Sequence, residues 1–450
     1  MPGEAAFRTR ARDVAGIWLD ERVRMTAESR TAGFGALAWL AVANFSMGID
    51  GYVLTGLLPQ IAGDLRVTEA AAGQLMTVFA LTGAVAGPVL SALTGRWERR
   101  GTILGSLAVF VLGNLMVALA PTFAWALAGR VVSAVGGALL AAVITSYVVA
   151  KTPPERRGRA LSIVMGGWLA ATALGVPLGL VVGQQDWRVP LFLVVVVGVL
   201  ALGGIVRYVP RLHLPPLSLR ATLQPLTRGR ILLALVVPMA LMCASYFCFT
   251  YAALIVGPRT GTGIAMIAVL FGYGVMSLVG NLLSGRLTDG IGPTRAITTL
   301  ILALIGVAAL GSATLGLPGV AGAVAIVLWF LGCATFFGGS GVALQARVSA
   351  MASESVALLV ALNTSAMHLG SALGSGLGGG AIAGGLPADA LVPLSSGILV
   401  LALGVHLFVG RRAGRGPEPA EGPGPAPDAA PAPCPDGTPG ADPVAAPDPV

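Results

Sequence analysis

Charge is scarce in this sequence. Of 450 residues, 11% are charged and only 20 are acidic, whereas a soluble domain carries about 25% charge. Uncharged runs extend from Ala296 to Ala346 and from Ser355 to Ala388. No water-facing shell can be built from them, which excludes a soluble enzyme and leaves lipid as the surrounding solvent. Cysteine is also sparse: Cys243, Cys248, Cys333 and Cys434 form no CxxC pair and no Cys/His cluster, so neither a disulfide framework nor a metal site is expected. No glycine-rich phosphate loop with its lysine occurs, which removes ATP as an energy source within the chain and predicts no cofactor beyond a coupling ion.

What is abundant is apolar length, with 55% of residues hydrophobic and a mean hydropathy of +0.84. A bilayer core needs about 20 apolar residues per helix. Twelve spans are expected, at 35–58, 70–94, 102–120, 123–149, 160–183, 189–207, 231–256, 264–285, 296–315, 319–345, 356–381 and 390–409. The ninth and tenth are separated only by Gly316-Leu317-Pro318-Gly319, a turn signal inside an uncharged run too long for one span. The expected organisation is an N-terminal tail (1–33), a six-helix bundle (34–207), a central loop with four prolines (208–229), a second six-helix bundle (230–410), and a Pro/Ala/Gly-rich tail (411–450) too poor in apolar residues to order itself. In the first tail, Val14, Ile17 and Trp18 could form a short interfacial helix face. Thr152-Pro153-Pro154-Glu155 has the form of a capping box ahead of the fifth span.

The net charge of +8 could suggest nucleic acid, but the placement of the basic residues argues otherwise. With the N-terminus inside, 24 of the 28 fall in the tails and in alternate loops on one side, Arg66, Arg188 and Arg259 fall on the other, and Arg130 lies within a span. This segregation fits the positive-inside rule and predicts a multi-pass cell-membrane protein with both termini cytoplasmic, lipid as its surroundings and no nucleic-acid partner.

The two halves carry a repeat. Ser91-Ala-Leu93-Thr-Gly95-Arg96-Trp-Glu98-Arg99-Arg100 follows span 2, and Gly285-Arg-Leu287-Thr-Asp289-Gly290-Ile-Gly292-Pro-Thr-Arg295 follows span 8, at an offset of 194 residues. The pair resembles the GxLxDRxGRR loop of the major facilitator superfamily. The first copy departs from it with Ser91, Gly95 and Glu98, while the second keeps the acid, so any latch between halves implied by the resemblance rests on Arg96, Arg99, Arg100 and Asp289 with Gly285 and Arg295 beside it. Simple anchoring of arginine at a helix carbonyl end explains these positions as readily. Further stretches are similar to the twelve-span drug:proton antiporter branch: Gly48-Ile-Asp50-Gly51-Tyr52 in span 1, Gly129-Arg130 with Gly136-Gly137 in span 4, and Gly175-Val-Pro177-Leu-Gly179 with Gly183 in span 5. The fold implied is an all-α membrane protein of twelve helices in two pseudo-symmetric six-helix bundles.

Physically, Gly175, Gly179 and Gly183 recur every four residues on one helix face, where backbones can approach, and Pro177 invites a bend. The resemblance implies a seam between bundles there; lipid-phase packing alone is the alternative. Asp50 is the one acid deep in a span and Arg130 the one base. An ionisable group at that depth costs about 2.5–3.5 kcal/mol on insertion scales and is a functional candidate by default. Both should lie about 10–12 Å below the outer boundary at 1.5 Å per residue, paired directly or through water, either for proton coupling or as a static ion pair.

Asn44, Tyr52, Tyr246 and Tyr251 are weak candidates for a substrate cavity, with Gln74, Asn114, Tyr273, Asn281 and Gln345 behind them; isolated polar groups in spans mostly bind neighbouring helices. His368 and His406 are not expected to carry the proton. The function expected is secondary active export of a small, amphipathic compound by a monomer, in exchange for protons. Export of a sugar, amino acid or other metabolite, or an uncoupled facilitator, remains as the alternative.

Overall fold

The computed structural model describes residues 33–153, 156–213, 229–261, 263–349 and 356–413. Among them there is no strand. The helices are α1 (Phe34–Val53), α2 (Leu58–Asp64), α3 (Glu69–Leu93), α4 (Arg99–Ala118), α5 (Phe123–Lys151), α6 (Arg157–Ala170), α7 (Val176–Val182), α8 (Val189–Tyr208), α9 (Gly229–Phe249), α10 (Ala252–Thr260), α11 (Ile264–Ile291), α12 (Pro293–Ala313), α13 (Gly319–Ser349), α14 (Val356–Ala383) and α15 (Leu391–Ala413). Ten helical stretches are long and apolar enough to cross a membrane. The α6–α7 run and α14 complete twelve passes.

Three passes are broken in ways a hydropathy reading does not resolve. The first runs on through a 3-10 turn at Leu54–Leu57 into α2. The fifth contains a π turn at Ala171–Gly175, directly before Pro177 in the first turn of α7, where the missing amide and the wide turn together account for the bend. The seventh breaks at Thr250–Tyr251 between α9 and α10. Helix starts are set by side-chain caps at Thr68, which accepts from Ala71 N at 3.2 Å, and at Thr122, which accepts from Trp125 N at 3.3 Å. The weak ninth-to-tenth break is a turn, with α12 ending at Ala313 and Gly319 at φ +57° opening α13. Arg156 takes the N-cap of α6 without a side-chain bond; Pro154 and Glu155 of the expected capping box lie outside the described residues, as do residues 1–32, 214–228 and 414–450.

Packing within each half follows one scheme. α4 lies on α5, α3 on α5, and α1 on α6 and α8; in the second half α12 lies on α13, α11 on α13, and α9 on α14. Between halves, α3 packs on α14, and α7 with the π turn packs on α11, two contacts that exchange under the repeat. Close approach is made by glycine: a Cβ at Gly113 of α4 would overlap the Ser133 backbone of α5, and one at Gly370 of α14 the Met239 carbonyl of α9. The loops at 94–98 and 209–213 mark one end of the molecule, the arginine end; the loops at 65–68, 119–122 and 184–188 mark the far end.

Candidate functional site

Asp50 on α1 and Arg130 on α5 are in direct contact. Arg130 Nη1 donates to Asp50 Oδ1 at 2.6 Å, and neither side chain has any exposed surface. Arg130 Nε donates to the Leu75 carbonyl of α3 at 3.3 Å, and its guanidinium lies 4.0 Å from the centre of the Phe79 ring, one turn further along the same helix. Three helices therefore meet on one cation. The second oxygen, Asp50 Oδ2, and the remaining nitrogen, Arg130 Nη2, are buried without a hydrogen-bond partner. A buried pair of this kind is weak evidence for stability, because desolvation offsets most of the attraction; unpaired atoms on both members call for an explanation other than stability.

The halves touch at the far end. Thr77 Oγ1 of α3 lies 2.9 Å from Ser375 Oγ of α14, and Tyr251 OH donates to the Ser375 carbonyl at 2.9 Å. Gly73 and Gly379 leave room for the Tyr251 hydroxyl from either side. On the other flank Gly274 of α11 meets the Thr172 carbonyl in the π turn. Below this closure sits an aromatic cluster centred on Phe249, with Tyr52 at 5.7 Å, Tyr246 at 5.8 Å, Tyr273 at 4.8 Å and Phe330 at 6.3 Å between ring centres; Trp168 reaches it through Tyr52.

Of the cavity candidates, Tyr52 and Tyr246 are half-buried in this cluster. Tyr251 is fully buried and belongs to the closure. Asn44 is a correction: its amide donates to the Val164 carbonyl of α6 at 3.0 Å and is buried, so it staples two helices and does not line a cavity. The glycine stripe is a second correction. Gly175 faces Ile49, Gly179 faces Val53, and Gly183 faces Leu57 and Pro190, so the stripe packs on the first pass and the start of α8 within its own half, and the close approach to α11 is made at Thr172 in the π turn. Spacing identifies a close-packed face but carries no information about which helix covers it.

With this geometry in place, the comparisons bear on it. Residues 40–353 match the family model described as Major Facilitator Superfamily. The chain belongs to the major facilitator superfamily. Its relatives include a chloramphenicol resistance protein of Streptomyces lividans, 35% identical over 261 residues that cover 56% of this chain and 66% of that protein. They also include the uncharacterized MFS-type transporter YtbD of Bacillus subtilis strain 168, 31% identical over 258 residues covering 56% of this chain and 65% of that one. This chain thus spans just under two thirds of the length of these two relatives. The inner membrane transport protein YdhP of Escherichia coli K12 is matched over 96% of its length and 84% of this chain at 29% identity. Among solved structures, the nucleoside transporter NupG superposes with a TM-score of 0.66 at 12% identity, covering 84% of this chain and all of that one. A bacterial homologue of the lysosomal transporter Spinster gives 0.66 at 18%, covering 84% and 96%. These two carry the fold alone.

The superfamily loop takes different forms in the two halves. In the first, Glu98 caps α4, accepting from Arg100 N at 2.7 Å and Gly101 N at 2.8 Å. The same carboxylate accepts from Leu212 N at 3.0 Å, while Arg99 N donates to the Leu212 carbonyl at 2.7 Å. The residue that departs from the superfamily pattern thus clasps the start of the central loop, assisted by Tyr147 OH, which donates to the Pro210 carbonyl at 3.1 Å. Burial pushes the Glu98 carboxyl up, but the amides of Leu212, Gly101 and Arg100 and the nearby His213 outweigh it and hold it below the usual Glu range.

Arg99 and Arg100 bond carbonyls of their own half, at Gly95 and Val206, and Arg96 is exposed. In the second half α11 runs through Gly285 and Asp289 to end at Gly292, φ +82°. Asp289 and Arg295 are exposed there and form no ion pair among the described residues. The expected latch of arginines on Asp289 is therefore not made in this arrangement of the helices.

Two features had no sequence signal. Arg347 Nη1 lies 2.7 Å from His406 Nδ1, and His406 Nε2 lies 3.0 Å from Thr298 Oγ1, all near the arginine end of the second half. Because the guanidinium can only donate, Nδ1 is the acceptor and the histidine is neutral with its proton on Nε2. The Thr77–Ser375 contact joins two unremarkable hydroxyls 298 positions apart in the chain.

Proposed function

We infer that this protein is a secondary active exporter that moves a small, amphipathic compound out of the cell in exchange for protons, by alternating access of the halves 34–207 and 230–410. The observation that carries the reading is Asp50: a carboxylate without exposed surface at mid-span, with one oxygen held by Arg130 and the other bonded to no protein group among the described residues. A proton added at Oδ2 neutralises the acid and weakens its hold on Arg130; loss of that proton restores the pair. The separation of the two groups sets which form is favoured, and a motion of the halves that changes it couples proton binding to access. No other acid lies at comparable depth.

Export of a drug-like compound is supported by the chloramphenicol resistance relative and by the aromatic cluster at Phe249, which offers flat apolar faces with phenol hydroxyls at their edges. The arginine end is taken as cytoplasmic, because the basic residues gather there. The test is uptake of labelled chloramphenicol, followed by a wider compound panel, into proteoliposomes with and without an imposed pH gradient. Uphill movement only with the gradient supports the exporter; gradient-independent equilibration of every transported compound contradicts it and leaves a facilitator. A single cysteine at Ser218 in a variant without native cysteines should stay unreactive to an impermeant reagent in intact cells; reaction there overturns the orientation.

A further inference from the structure

Arg130 grips α3 as well as Asp50, and α3 is one of the helices that touch the other half. Leu75 and Phe79, four residues apart, lie on one face and meet Arg130. Thr77, two residues from each, lies about 200° around the helix at 100° per residue and meets Ser375 of α14. α3 is therefore held on opposite faces by the buried ion pair and by the far-end closure, with α5 packed on one side and α14 on the other.

We propose that Phe79 and Thr77 are positioning residues that carry the charge state of Asp50 to the far-end closure through α3. This rests on Asp50 as the proton site. With Asp50 ionised, Arg130 is fixed at Nη1 and lies against Phe79 with Nε on the Leu75 carbonyl, which sets the rotation and height of α3 and so the reach of Thr77 to Ser375. When Asp50 takes a proton, Arg130 becomes a buried cation whose remaining contacts are a carbonyl and a ring, an unfavourable state that is relieved by moving toward other acceptors. α3 then loses the contact that fixes it. The titratable groups facing the pair are few. Arg130 comes from α5, and Tyr52 lies two residues along α1; from α3 the partners are a carbonyl and a ring. His368 of α14 faces Gly83 of α3, a turn beyond Phe79, and the other passes packed on α1 and α5, which are α4, the α6–α7 run and α8, contribute no charged side chain at this depth.

The test uses the full chain with Cys243, Cys248, Cys333 and Cys434 replaced, and spin labels at Gly63→Cys and Ala383→Cys, both exposed at the far end. The distance distribution across the closure is measured from about pH 5 to about pH 8 with no compound added, so the proton is the only ligand. Wild type should change its ratio of near to far populations by about 5- to 150-fold, the usual span of a site-to-site coupling. Phe79→Leu and Thr77→Val should flatten this response, while Phe79→Tyr and Thr77→Ser, which keep the ring and the hydroxyl, retain it. The protonated-carboxyl band of Asp50 in infrared difference spectra, identified by its loss in Asp50→Asn, should still titrate in Phe79→Leu.

A wild-type distance response in both Phe79→Leu and Thr77→Val, with Asp50→Asn flat, overturns the route through α3 and leaves Asp50 as the proton site. Loss of response in the conservative variants as well also overturns it, since it marks a merely structural role. An unchanged response in Asp50→Asn removes the proton site itself.

Discussion

The two halves share a frame and differ in what they bury. At the far end each half is closed by one arginine that bonds an aspartate and the carbonyl end of a neighbouring helix. In the first half Arg188, in the loop before α8, binds Asp64 at the end of α2 at 2.8 Å and the Ala120 carbonyl at 3.1 Å. In the second, Arg259 in α10 binds Asp389, in the loop before α15, at 2.7 Å and the Leu315 carbonyl at 3.1 Å. The acid and the base have changed places while the bracket is kept. Inside the membrane the symmetry ends: the first and fourth passes meet at Asp50 and Arg130, and their counterparts, the seventh and tenth, meet at Phe249 and Phe330, stacked 6.3 Å apart. The frame is thus repeated for folding. The ion pair is confined to one half, and the coupling proposed above rests on it.

The strongest way to break the comparison is to make the first half resemble the second. Asp50→Leu with Arg130→Met should express and keep a thermal midpoint near wild type, since apolar replacement of a whole buried pair is often neutral or stabilising, yet lose all uphill export. Arg130→Ala alone should lose about 3–5 kcal/mol, because it strands a buried carboxylate. A double variant less stable than Arg130→Ala in detergent melting would refute this.

Next in size is the fifth pass, whose glycine face lies on α1. Gly179→Leu drives a side chain into Val53 and should cost about 1–3 kcal/mol, with export falling in parallel with the melting temperature. Normal stability and export would show that this face has room to spare.

The position matching Glu98 in the second half, 194 residues on, is Gly292, which caps α12 without a side chain. Glu98→Ala should destabilise by roughly 1 kcal/mol, as loss of a helix cap does. Because the folded carboxyl is held below its usual value of 4.5, its contribution is complete above that value and is lost as pH falls through the lower folded one. The gap in melting temperature between wild type and Glu98→Ala should stay constant from about pH 8 to about pH 6 and close in stronger acid; a gap that widens on acidification contradicts the sign.

The smallest effect should come from the shared brackets. Arg188→Ala and Arg259→Ala each remove a partly exposed pair worth about 0–1 kcal/mol, so their melting shifts should be small and alike. A large shift in only one would mean that the brackets are not equivalent.

Much of the frame was legible in the sequence, because long uncharged runs, turn glycines and alternate basic loops are local features. The breaks at Ala171–Gly175 and Thr250–Tyr251 were not, since a π turn and a helix kink leave hydropathy unchanged. Asp50 and Arg130 stood out by depth, as a charge in a span must be explained, and by the antiporter-like stretches around them. Their third partner was invisible: the Leu75 carbonyl is backbone, and Phe79 is one apolar residue among many. Glu98 was visible only as a departure from a pattern. Its job, holding Leu212, depends on a loop more than a hundred residues away. The glycine stripe was correctly read as a packing face, but its partner helix is a tertiary fact.

The central claim is that Asp50 is the proton site. The direct measurement is proton release or uptake by purified protein on adding a transported compound, at several pH values, for wild type and Asp50→Asn. Wild type should exchange protons with a stoichiometry that changes with pH, and Asp50→Asn should exchange none while still binding the compound. Proton exchange by Asp50→Asn equal to wild type would place the coupling site elsewhere in the molecule.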